Sequence, residues 1–260
     1  MVCVANGSFQ KLLGFIPGLT TDLHHAISAG RNTRLTRCPT IIFVTLLGML
    51  VSRDGLTVAD EKPKPQKPTP FVDRVISYQI GSGGGQGEDK LPEIVLGPPK
   101  GGGKLMAGKD VFSLGEGGVI VLEFVDNEVF DGKGPDLIVF ENPFLAEPGN
   151  DPDYGFFELG KVEVSLDGIV WHEFSYDTAS KENCAGYKPV IANSEKNKIS
   201  PTDVKKAGGD LFDLKQLGLK VIRFIRITDI QSFGGKKGSA GFDLDAVVAV
   251  NSRKRVNDKK

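Results

Sequence analysis

Cysteine and histidine are nearly missing from this chain, and their scarcity removes several kinds of chemistry at once. The three cysteines are Cys3, Cys38 and Cys184. Two of them precede an N-terminal apolar run, so only Cys184 remains in the body of the protein, and a disulfide framework within one molecule is excluded. His24 and His25 fall in the same N-terminal stretch, which leaves His172. One His and one Cys do not make a structural zinc set. No nucleophile-elbow phrase points to a serine for His172 to activate; it reads as a sheet-surface histidine, and Cys184 as a thiol without a catalytic role. An excess of one charge is missing as well. The 32 basic and 33 acidic side chains nearly cancel, so the surplus of Lys and Arg on which nucleic-acid binding depends is absent. The local exception is the basic tail Ser252–Lys260, which reads as a solvated terminus, with contact to an acidic surface as the alternative. No apolar run reaches the ~20 residues of a comfortable membrane span.

Glycine and proline, by contrast, are plentiful, with 33 and 15 residues. Only Gly takes positive φ without steric cost, so this composition describes many tight turns between short strands and favours an all-β domain. The stretches Gly81–Gly87 and Gly101–Gly103 lack the Lys-Ser/Thr of a phosphate loop and read as turns; no EF-hand loop is present. Near the N-terminus, Arg31, Arg34 and Arg37 precede the short apolar run Ile41–Val51, and a polar stretch follows that ends in Thr57-Val58-Ala59. That is the order of a secretory signal. Residues 1–59 are therefore assigned to export, with cleavage near Ala59; an uncleaved anchor is the alternative. The stretch from Met1 to about Ala29 carries no pattern, which fits a start site assigned too far upstream. Cys38 lies before the apolar run, the wrong side for a lipoprotein. The expected location is the periplasm, the cell surface or the medium, with no stable transmembrane span in the mature form. Residues 60–70 (DEKPKPQKPTP) form a Pro- and Lys-rich spacer of semi-rigid, extended character. The folded domain is expected over 71–251 and the tail over 252–260.

From Phe71 onward, short apolar runs alternate with Gly, Pro, Asn and Asp, the pattern of strands. Strands are expected near Val72–Ile80, Glu93–Leu96, Gly118–Val125, Asp136–Glu141, Lys161–Leu166, Val170–Phe174, Lys188–Ile191, Val221–Ile227 and Phe242–Val250. At 161–166, Val162, Val164 and Leu166 alternate with Lys161, Glu163 and Ser165, as a strand with one wet face requires. Asp167-Gly168 then supplies a hairpin turn. The run 136–141 is apolar on both sides and belongs in the middle of a sheet. One helix is expected from Ser200, with Pro201 at its first position and Gly208-Gly209 as its stop; Leu211–Leu217 adds another turn. So many strands make a two-sheet antiparallel β-sandwich with one or two short helices, large enough to bury a core without disulfides.

Six phrases carry a resemblance: Val95–Gly103 (VLGPPKGGG), Gly134–Phe144 (GPDLIVFENPF), Val162–Phe174 (VEVSLDGIVWHEF), Ala207–Leu214 (AGGDLFDL), Arg223–Asp229 (RFIRITD) and Gly241–Val247 (GFDLDAV). In this order, and spanning Val72 to Asn251, they resemble a family of bacterial cell-surface proteins with a discoidin-like (galactose-binding-like) jelly-roll domain. The resemblance implies a secreted or surface-borne sandwich, often calcium-stabilised in the wider superfamily, whose loops at one end bind carbohydrate, lipid head groups or protein. It also implies a second cysteine near position 176, opposite Cys184; Tyr176 stands there instead.

The carboxylates are the residues most in need of a partner. Asp243 and Asp245 sit two apart on an expected strand, on one face about 7 Å from each other, and repel unless a positive group intervenes. Ca2+ would take six to eight oxygens there, with carbonyls from the turn Asp131–Pro135. Pairing with Arg223 or Arg226, or hydration, is the other reading. Asp136 and Glu141 bracket the central strand and are further candidate metal ligands; their opposite parity means separate sites, or a Glu141 that only caps a loop through backbone amides. Asp126, Asp131, Asp210 and Asp213 lie among turn residues and read as Asx turns. For ligand binding, Tyr154, Phe156 and Phe157 with Asn142 and Tyr187 offer flat apolar faces beside polar groups, as sugars require; core packing is the other reading for Phe156 and Phe157. Trp171 reads as core. The expected function is a non-catalytic binding module for a glycan or cell-envelope component, calcium-stabilised. A structural or adhesive envelope protein is one alternative, and a glycoside hydrolase using paired carboxylates is another.

Overall fold

The computed structural model describes residues 68–146, 155–230 and 241–255. The export region, most of the spacer, Tyr154 and the end of the basic tail lie outside the described residues. The strands are β1 (Arg74–Gln79), β2 (Phe112–Ser113), β3 (Val119–Glu123), β4 (Asn127–Phe130), β5 (Leu137–Phe140), β6 (Phe144–Leu145), β7 (Gly155–Phe156) and β8 (Gly160–Ser165). They continue with β9 (His172–Glu173), β10 (Asp210–Phe212), β11 (Val221–Ile222), β12 (Phe224–Asp229), β13 (Asp243–Leu244), β14 (Ala246–Ala249) and β15 (Ser252–Lys254). Every ladder is antiparallel. One sheet runs β1-β3-β12-β8-β9 and a second β10-β5-β14, with β11-β4-β15, β13-β2 and β6-β7 as shorter ladders. The protein is an all-β sandwich.

Alternation builds its core. Ile120 and Leu122 on β3, Ile225 and Ile227 on β12, and Val162 and Val164 on β8 share one buried cluster with Leu137 and Val139 on β5, Phe212 on β10 and Val247 on β14. The opposite face of the five-stranded sheet carries ion pairs: Arg226 Nε donates to Glu163 at 2.7 Å, and both Arg74 and Arg223 grip Glu123. β5 pairs at both edges, and it is buried on both faces because Leu137 and Val139 face the main core while Ile138 and Phe140 are covered by Val190, Ala192 and Ala207. Among the described residues no helix is long and apolar enough to cross a membrane.

Several expectations fail for identifiable reasons. Glu93–Val95 is a 3-10 turn that plugs Ile94 and Val95 into the core; so short an apolar run does not separate strand from helical turn. The expected helix after Ser200 is a succession of turns. Ser200 and Asp203 direct their side chains to the amides of Thr202 and Lys205, competing with helical bonding, and the segment lays Ile199 and Val204 over the small sheet. The further turn expected within Leu211–Leu217 is present, as a 3-10 turn over Leu214–Leu217 that Asp213 N-caps. Lys188–Ile191 forms no strand, only a bridge from Val190 to Gly208. Ser252–Lys254 is strand β15 on β4, with Arg253 Nε on Glu128 at 2.7 Å, instead of the start of a free tail.

Trp171 is not core. Asp167 Oδ1 accepts from the amides of Ile169 and Val170, which widens the hairpin and shortens β9 to two residues. The register sets Glu173 opposite Glu163, so Trp171 shares their outward face and lies under the Arg226 guanidinium, 4.4 Å from ring centre to Cζ. Phe174, one residue past β9, points inward and is fully buried. Truncating Phe174 to alanine should cost about 3–5 kcal/mol of unfolding free energy, as for a buried aromatic. Trp171→Ala should cost no more than about 1 kcal/mol, the scale of an exposed cation–π contact; urea unfolding curves of the two variants measure the difference.

Candidate functional site

Three carboxylates meet at one end of the sandwich. Glu141 leaves the end of β5, Glu158 lies between β7 and β8, and Asp243 starts β13; one oxygen from each lies within 4.8 Å of the others. The chain brings them together through its ladders. β13 pairs with β2 so that Asp243 faces Ser113, and the Ser113 hydroxyl donates to Asp243. Asn142 holds two elements: its Oδ1 accepts from the Gly108 amide, and its Nδ2 donates to Asp243 at 3.3 Å. Glu158 Oε1 accepts from the Gly241 amide at 2.9 Å, and Glu141 Oε1 from the Asp243 amide at 3.0 Å. Gly241 has φ +109, and a Cβ there would lie 2.4 Å from Gly115 Cα. Only glycine permits that close approach of backbones beside the site.

Glu141 is 2% exposed, and its Oε2 has no hydrogen-bond partner. Burial pushes its carboxyl well above the usual range, with Asp243 and Glu158 adding repulsion. Burial, then Asp243, lifts Glu158 to about 7 against the pull of the Gly241 amide. Asp243 is raised by burial, against hydrogen bonds from Ser113 and Asn142. Nearby, Asp229 accepts from the amides of Gly117 and Phe242 at 3.0 and 2.9 Å. No Arg or Lys of the described residues forms a salt bridge with the three, and Arg223 and Arg226 are engaged by Glu123 and Glu163. The pairing with arginine entertained for Asp243 is therefore not made.

The expected ligand set divides. Glu141 and Asp243 come together, but Asp245 falls in the break between β13 and β14 and receives the Lys100 amide at 3.0 and 2.9 Å on its two oxygens. Asp136 lies at the other end of β5, in a separate group with Asp131 and Asp213. The turn Asp131–Pro135 adjoins that end, so it cannot supply carbonyls to Asp243. Asp136 is fully partnered: Oδ1 accepts from the Gly132 amide and the Asn251 side chain, Oδ2 from the Leu214 amide. Glu158 and Ser113 were not among the expected residues. No spacing marks them, because each reaches the site through a ladder partner distant in sequence. Asp210, read as a turn residue, is instead buried on β10.

The aromatics separate as well. Phe156 on β7 stacks on Phe144 of β6, with centroids 4.8 Å apart and planes at 24°, and is 62% exposed. Phe157 points the other way, is buried, and packs on half-buried Tyr187 at 5.3 Å. Phe157 and Tyr187 are therefore packing residues, while Phe156 offers an open ring face two residues from Glu158. No protein-family model matches this chain, and no curated protein matches it.

Proposed function

We propose that this protein is an exported, non-catalytic binding module of the galactose-binding-like (discoidin-like) jelly-roll type, and that it engages a glycan of the cell envelope or its surroundings. The observation that carries this reading is the Phe144–Phe156 stack at the sandwich end, with Phe156 62% exposed. An aromatic face held rigid by a second ring presents apolar area to the C–H groups of a sugar at little conformational cost. Asn142, with one amide proton directed to Asp243, and the nearby carboxylate edge supply polar neighbours for hydroxyls. The N-terminal order of basic, apolar and small residues supports export.

Glycan-array binding of the purified protein tests the reading. Phe156→Ala should lower affinity for the bound glycan by roughly tenfold or more, as loss of a central aromatic anchor does, with the melting temperature unchanged within about a degree. An array blank for the wild type, or binding indifferent to Phe156→Ala, would leave an adhesive or structural envelope role. A glycoside hydrolase is the other reading, favoured by the convergence of three carboxylates at raised pKa. Against it stands the 2% exposure of Glu141, which keeps that acid from a glycosidic oxygen. Turnover of a glycoside panel that disappears in Glu158→Gln would establish hydrolysis.

A further inference from the structure

We propose that Glu141, Glu158 and Asp243 hold one hard divalent cation of the Ca2+ type, and that this ion fastens the β6–β7 hairpin to the body of the sandwich. Three observations converge on it. The three carboxylates come from three separate elements, yet an oxygen from each falls within 4.8 Å of the others. Glu141 is buried, its carboxyl is faced only by the backbone amides of Asp243 and Asn142, and its Oε2 is left outside hydrogen-bond geometry, a position that an ionised carboxylate keeps only with a counter-charge. No cationic side chain of the described residues pairs with any of the three.

The second acidic group makes the contrast. Asp131 pairs with Lys220 at 2.7 Å, Asp136 receives three donors, and Asp213 caps Lys215. Nothing there is left for an ion to satisfy. In the first group the neighbouring donors serve a different end: Ser113 and Asn142 orient Asp243 from behind, the role that outer partners play around a metal ligand. The donors available are all carboxylate oxygens, which select calcium over zinc or copper. Water and the partly exposed side of Glu158 complete a coordination shell of the flexible kind that Ca2+ accepts. Because Glu141 closes β5 just before the hairpin and Glu158 follows it, an ion bridging the two to Asp243 ties both hairpin ends to β13.

Protons are the competing means of neutralising the group, and the test separates them. The full protein is stripped with EDTA and melted at pH 7.5 with increasing CaCl2, with MgCl2 in parallel; calorimetric titration counts ions. The proposal expects one Ca2+ per chain and a saturable rise in Tm of roughly 5–10 °C at saturation. It also expects amide exchange in the β6–β7 hairpin to slow by roughly tenfold or more. Glu141→Gln should abolish the calcium-dependent rise while leaving the Tm of the stripped protein close to that of the wild type, since glutamine keeps an acceptor for the Asp243 amide. A merely structural Glu141 would lower the Tm in both conditions. Glu158→Gln, at the rim and able to keep the Gly241 hydrogen bond, repeats the test should the buried variant fold poorly; Asp213→Asn should keep the calcium response. A Tm indifferent to calcium, or a rise that survives both glutamine variants, overturns the site. Unchanged hairpin exchange on calcium binding overturns its fastening role. Neither readout depends on whether Phe156 meets a glycan, so the two proposals fail separately.

Discussion

Replacing Asp210 by alanine should lower the unfolding free energy by about 3 kcal/mol or more, because several buried donors then lose their acceptor at about 1–3 kcal/mol each. The Asp210 carboxylate takes the amides of Gly186, Tyr187 and Lys188 at 2.8, 3.0 and 3.2 Å. Those three amides turn the chain over β10, where Gly186 at φ +89 lies against Glu158 O with no room for a Cβ. Asp210→Asn keeps one acceptor but turns an NH2 toward N–H groups, so it should fall between wild type and alanine. Burial is the larger influence on this carboxyl and lifts it to about 7; the amides pull the other way without prevailing. The sign follows from proton linkage. Between the ordinary 3.8 and about 7, the folded state keeps a proton that the unfolded chain has released. Stability contributed by Asp210 therefore falls as pH rises through that window and levels off above it. Urea unfolding of the EDTA-treated protein from pH 5 to 8 should show a decline whose slope is shallower in Asp210→Ala by up to about 1.4 kcal/mol per pH unit. Identical slopes in the two proteins would refute the assignment.

Phe242→Ala should cost about 3–5 kcal/mol, the range for a buried Phe in a close-packed core. The ring is fully buried, and it fills space that two glycines leave open. A Cβ on Gly160 would lie 2.7 Å from Phe242 Cδ2, and one on Gly186 would lie 3.4 Å from its Cε2. Gly160→Ala should accordingly be severe in the wild type and milder in Phe242→Ala, where the ring it strikes is gone. A double-mutant cycle measures that coupling. Additive effects would mean that Gly160 is required by its backbone and not by the ring. The backbone of Phe242 is also fixed, its amide on Asp229 and its carbonyl accepting from Leu114 at 2.8 Å. Asp243 is the next residue, so core and site are anchored by the same short stretch.

The legible parts of the fold were those where a local pattern and the burial agree. Val162 and Val164 face the core opposite Lys161 and Glu163, as their alternation predicts, but the pattern fails at the strand end, where Ser165 is buried under the turn it caps and Leu166 is exposed. Leu137–Phe140 is apolar throughout, and β5 lies between two strands with both faces covered. Patterns of two or three residues carried less. Phe112–Ser113 and Asp210–Phe212 are strands only because β13 and β5 lie beside them. Trp171 has the composition of a core residue, but its depth depended on how many amides Asp167 would capture in the preceding turn.

By itself, the sequence determined that the domain would be built of antiparallel strands with glycine turns and that its acids needed partners. Side-chain periodicity and composition are local properties, and they act on each segment alone. Only the tertiary structure decided which acids meet. Asp243 and Asp245 are two residues apart and turn to different partners, whereas Glu141, Glu158 and Asp243 converge from across the chain. Ladder register fixes those distances, and register is settled by the packing of the whole sandwich, not by the residues at the site.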